Sequence, residues 1–211
     1  MKWEYLLLKV ADEPFFRTGF LAAGETSLGQ LRLQLSRWVK AGKLIQLRKG
    51  LYTVAEPYRK VAPHPFTLAN VMKKASYVSL QSALSYYSMI PEHVPTITSV
   101  TTQRPEQVKT PLGQYVFRHV KKDWFHGFRQ IELGSGQRAF VATPEKALLD
   151  LAYLTPGADN YNFLAELRLQ SLEQLDIDTI LELADKSKSA KLRRTAKHIA
   201  KLAQQESAEE L

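Results

Sequence analysis

Apolar residues recur every three or four positions from residue 27 onward. Leu28, Leu31, Leu35, Trp38 and Val39 form one face of a helix. Gln30, Leu33, Arg37 and Lys40 fall on the opposite face. Ser27-Leu28-Gly29-Gln30 reads as a capping box, in which the Ser27 hydroxyl takes a free backbone N–H and Gln30 reaches back. Gly42 stands where a helix C′ glycine belongs. Two short apolar runs follow, residues 44–47 and 51–54, joined by Arg48-Lys49-Gly50. That pattern predicts a hairpin with a basic tip and a glycine for the tight turn.

Upstream, Trp3, Leu6, Leu7 and Val10 predict a first helix over residues 2–10, which Pro14 separates from the next turn. Thr18 caps a short second helix that runs through Ala23 and ends at Gly24. Helix, helix, helix and hairpin in this order is the plan of a winged helix-turn-helix. Its third helix enters a DNA major groove and its hairpin tip grips phosphates. A leucine stripe alone serves an ordinary core equally well, and the charge separates the two readings. Residues 27–54 carry Arg32, Arg37, Lys40, Lys43, Arg48 and Lys49 and no acidic residue, whereas a solvated surface mixes both signs. The candidate DNA-contacting residues are therefore Ser27, Gln30, Arg32, Leu33, Arg37, Lys40, Arg48 and Lys49.

Downstream, residues 55–66 contain Pro57, Pro63 and Pro65 and read as a linker. The expected division is 1–60 and 61–211. Residues 67–75 and 79–89 read as helices, with Thr67 and Ser79 as caps. The β-branched run at 96–102 predicts a strand, as does 113–120. Residues 129–133 and 137–142 form a hairpin around Gly134-Ser135-Gly136. Thr143-Pro144-Glu145 opens a helix, with Thr at the N-cap and Pro at N1, and Thr155-Pro156-Gly157 ends it. Residues 172–186 and 188–205 are helical, and 206–211 fray. The fold class is α+β: a winged helix-turn-helix followed by a larger mixed α/β domain that ends in helices.

Composition narrows the function. Formal net charge is +8, from 29 basic and 21 acidic residues. Residues 1–60 hold 11 basic and 5 acidic residues, and residues 161–211 hold 8 and 9, so the excess lies with the helix and hairpin. A localised excess of this kind predicts affinity for a polyanion. Cysteine is absent, which excludes disulfides, thiolate metal sites and cysteine catalysis. Glu4 interrupts the opening apolar run, and no stretch of about 18 apolar residues occurs. The expectation is a cytoplasmic protein without a membrane span. His64, His93, His119, His126 and His198 match no metal-ligand spacing, and no phosphate loop or nucleophile elbow appears. Glu145 and Asp150, five apart, lie about 140° round a helix and do not face each other. No enzyme, cofactor or metal is expected. A site at His119, Asp123 and His126, or at Glu145, is the enzymatic alternative.

The strings YVSLQSAL, ITSVTT and PEKALLDL, with SLGQLRLQLSRWVKAGKLIQLRKGLYTV before them, resemble the AbiEi family of type IV antitoxins from abortive-infection (phage-defence) systems. The resemblance covers roughly residues 1–155. It implies an N-terminal domain that binds inverted repeats in its own promoter and represses it; a dimer on DNA is compatible with this, and the sequence does not give the oligomeric state. It implies a second domain that counters a nucleotidyltransferase-like toxin without a stable complex. It assigns no antitoxic residue; Lys146 and the basic face of 188–201 are candidates, with ordinary helix surface as the competing reading. The alternative function is a regulator of another operon whose second domain senses a ligand or makes dimers.

Overall fold

The computed structural model describes residues 1–22 and 27–209. It is a mixed α+β protein: a helix-rich N-terminus followed by a larger α/β body. Helix α1 (Trp3–Val10) is followed by β1 (Phe16–Arg17) and α2 (Thr18–Ala22). Helix α2 begins at Thr18 itself, whose N–H bonds the Gly50 carbonyl at 3.0 Å. Its predicted end at Ala23 and Gly24 lies outside the described residues. Helix α3 (Leu28–Lys40) is followed by β2 (Leu44–Arg48) and β3 (Leu51–Val54). Strand β3 pairs antiparallel with both β1 and β2, giving the order β1-β3-β2.

Leu6 and Val10 of α1, Leu31, Leu35 and Trp38 of α3, and Leu44, Tyr52 and Val54 of the hairpin bury one apolar cluster. Leu28, expected on the same face, is instead exposed. Gly42 and Gly50 both take left-handed backbone, as their turns require.

The stretch 55–66 is pinned at both ends. The Tyr58 ring meets Trp3 edge-on at 5.4 Å, Lys60 pairs with Asp12 at 3.0 Å, and Gln137 bonds the Ala62 carbonyl and the His64 N–H.

The body contains α4 (Pro65–Met72), β4 (Ser76–Val78), α5 (Leu80–Tyr86), β5 (Thr96–Thr101), β6 (Glu106–Thr110) and β7 (Gly113–His119). It continues with β8 (Phe128–Glu132), β9 (Arg138–Ala142), α6 (Pro144–Leu154), α7 (Tyr161–Glu166), α8 (Ile177–Lys186) and α9 (Ala190–Glu209). Six strands form a sheet in the order β6-β7-β5-β4-β9-β8, with β5 parallel to β7 and β4 parallel to β9. Helix α6 packs against α5, α8 and α9.

Several expectations change. Helix α4 starts at Pro65, not Thr67: His64 is the N-cap, its Nδ1 accepting the Phe66 N–H at 3.2 Å, and proline is favoured at N1. Thr67 is buried inside the helix. Residues 172–174 form a 3-10 turn, and the last helix starts at Ala190 because Lys188 takes left-handed backbone. Strands β1, β4 and β6 and helix α7 were not foreseen. The first two are two and three residues long, too short for a pattern. Strand β6 is a polar edge strand, and α7 has six residues.

Candidate nucleic-acid interface

Ser27 starts α3 in extended backbone, and its hydroxyl accepts the Gln30 N–H at 3.4 Å. Only this half of the capping box forms; the Gln30 side chain stays exposed. Burial of Leu31, Leu35 and Trp38 turns the other face outward, and Gln30, Arg32, Leu33, Arg37 and Lys40 are all exposed. Leu33 is 54 % exposed, a large apolar side chain left on the outward face of the helix. Lys49 is exposed at the hairpin tip. Among the described residues no carboxylate pairs with Arg32, Arg37, Lys40 or Lys49. Four cations with no such partner among the described residues, on one helix and one hairpin tip, form a surface suited to a polyanion.

Arg48 differs from the other seven candidates. Its guanidinium bonds the Glu106 carboxylate at 2.5 Å and the Met72 carbonyl at 3.1 Å. Lys73 reaches the other Glu106 oxygen at 3.0 Å. Lys73 first, and Arg48 with it, holds the Glu106 carboxyl below its ordinary value. Arg17 bonds the Val71 carbonyl at 2.6 Å. The hairpin is therefore fastened to the body, and Leu47 and Leu51 belong to the body's apolar cluster.

A second polar group lies inside the body. Lys146 and Asp150, one turn apart on α6, are both 0 % exposed and paired. Lys146 also donates to the Tyr77 hydroxyl at 3.0 Å and sits 4.0 Å above the Trp124 ring. Asp150 further accepts from Tyr77 at 3.0 Å, Ser79 at 2.7 Å and the Trp124 indole at 2.7 Å. Burial lowers the Lys146 pKa against the opposing pull of Asp150, and burial raises that of Tyr77. The cluster is sealed from solvent and fastens α6 to β4 and to the turn at Lys122–Trp124. The surface reading of Lys146 is thus replaced by a buried one. The sequence signal was the Lys-Asp spacing of four, which also describes an exposed helix pair.

The other candidates separate. Glu145 faces α8 and accepts the Asp176 N–H at 3.3 Å, away from Asp150, as helix geometry predicts. His119 bonds the Gln103 carbonyl, whereas His126 packs on Trp124. Among the described residues no group of His, Asp and Glu could hold a metal ion. On α9, Lys191 caps the Thr155 carbonyl, Arg193 pairs with Asp185 and Arg194 with Asp159. Most of that basic face therefore serves packing within the chain. No helix of the described residues is long and apolar enough to cross a membrane.

Comparison with known proteins adds the fold. The chain is similar to the crystal structure of the RV2827C protein from Mycobacterium tuberculosis, with a TM-score of 0.61 and 13 % identity. The match covers 95 % of this chain and 76 % of that one. No protein-family model and no curated protein matches. At this identity the likeness defines the architecture alone.

Proposed function

We propose that residues 1–60 form a winged helix-turn-helix that binds double-stranded DNA, with α3 in the major groove and the β2–β3 tip on phosphates. The observation that carries this reading is the exposed face of α3 and the hairpin tip, drawn from a segment without acidic residues, where Arg32, Arg37, Lys40 and Lys49 have no carboxylate partner among the described residues. Arg37 has the reach for a guanine edge, Gln30 for an adenine, and Lys49 for a phosphate. With the AbiEi resemblance, the chain is read as the antitoxin of a type IV toxin–antitoxin pair. It represses its own promoter and opposes a nucleotidyltransferase-like toxin through the larger body.

The test has two arms. Fluorescence anisotropy with duplex DNA of the chain's own upstream region, at two salt concentrations, reads binding. Arg37→Ala should weaken it by about 1–3 kcal/mol, and binding unchanged by both Arg37→Ala and Lys49→Ala would sink the docking scheme. Growth of cells that co-express the neighbouring gene reads antitoxin action; no rescue from any adjacent toxin removes it.

One observation favours a second reading, in which the body senses a ligand. An open cavity of about 460 Å³ lies among His64, Phe66, Tyr86, His93 and Tyr115. The buried Tyr115 hydroxyl has no hydrogen-bond partner among the described residues, and burial raises its pKa to about 12. A small molecule that changes DNA affinity without changing antitoxin action would select this reading.

A further inference from the structure

The outward face of α3 has an apolar centre. Leu33 is 54 % exposed and contributes to neither apolar cluster. At about 100° per residue, Gly29, Gln30, Ser36, Arg37 and Lys40 all fall within about 60° of it. Gly29 and Ser36 carry little bulk beside Leu33, so a flat surface can approach the helix closely there. Gln30 lies one turn before Leu33, and Arg37 and Lys40 lie one and two turns after it. Polar reach thus surrounds an isobutyl group that the fold leaves in water.

The major groove offers this group one complementary feature. Guanine, cytosine and adenine present only hydrogen-bonding atoms at their edges, whereas thymine adds a 5-methyl group. We propose that Leu33 reads a thymine methyl, so that the bound site carries a T·A pair at the centre of the α3 footprint. Gln30 and Arg37 then contact the pairs on either side. The inference rests on the DNA-binding reading above. It adds to that reading a specificity-determining residue and the base it selects.

The experiment separates the two. Duplexes are selected by the full chain from a random 20-base-pair pool, and each thymine of the selected site is replaced singly by uracil. Uracil keeps the pairing and removes the methyl. At one position, uracil should lower wild-type affinity about fourfold, the value of one buried methyl group. Leu33→Ala should lose about as much on the thymine duplex and nothing further on the uracil duplex. Arg37→Ala should remain sensitive to uracil. Wild-type affinity unchanged at every uracil position, or a Leu33→Ala variant as sensitive as wild type, overturns the role of Leu33 while DNA binding stands. Selection of no sequence by the wild-type chain overturns the DNA-binding reading and this inference with it.

Discussion

Single residues decide how the body holds together. Asp150 accepts four donors, from Tyr77, Ser79, Trp124 and Lys146, and is 0 % exposed. Removing one member of a buried ion pair costs about 3–5 kcal/mol. Lys146→Met leaves Asp150 three neutral donors and should fall near the lower end. Asp150→Ala strands all four donors and should cost more. Urea unfolding ranks the two, and a larger loss in Lys146→Met would contradict the charge accounting. Gly127 makes a related case. It has a φ of +75°, and a Cβ there would lie 2.9 Å from the Lys146 side chain. Gly134 has a φ of +84° with nothing within 4 Å. Left-handed strain alone costs about 1–3 kcal/mol. Gly127→Ala should therefore destabilise more than Gly134→Ala, and equal losses would show that Lys146 yields freely.

At the scale of elements, the β2–β3 hairpin shows what local sequence could and could not disclose. Its strands, its glycine turn and the capped helix before it were legible because each depends on neighbours within a few positions. The division of labour between Arg48 and Lys49 was not. Adjacent cations look alike in sequence, and Glu106, which claims Arg48, lies 58 residues away on a strand too polar to stand out. The burial of Lys146 was hidden for the same reason: its partners come from segments around residues 77 and 124. The candidate DNA face was more legible than the body's core, since exposure of one helix face follows from burial of the other. A pH prediction follows for the clamp. The Glu106 pKa is lowered from an unfolded value of 4.5, so its contribution is present above that pH and is lost as pH falls further. Wild type should be the more stable of wild type and Glu106→Gln at neutral pH, and the two stabilities should converge in acid. A gap that persists well below pH 4 would mean that the carboxylate charge is not what Arg48 and Lys73 recognise.

For the whole molecule, the question is whether the N-terminal unit and the body act as one. The proline-rich stretch 55–66 marks a boundary in sequence, yet four kinds of contact cross it. Leu47 and Leu51 lie in the body's apolar cluster. Arg17 and Arg48 bond the Val71 and Met72 carbonyls. Arg48 pairs with Glu106, and Gln137 holds the connecting chain at residues 62 and 64. A fragment of residues 1–60 therefore exposes two leucines and strands two arginines. Burying one leucine is worth about 1.5–3 kcal/mol, a large share of what so small a unit can supply. The full chain should unfold in a single thermal transition. The 1–60 fragment should melt well below it or populate an open form, although α3 and the hairpin tip still lie within it. It should bind DNA with the same sequence preference as the full chain but lower affinity, because part of the binding energy goes into folding. Calorimetry of the full chain and of both fragments, with anisotropy on the same duplex, checks this. Two separate transitions in the full chain, with the first at the melting point of the 1–60 fragment, would show instead that the contacts at Leu47, Leu51 and Arg48 do not couple the two units.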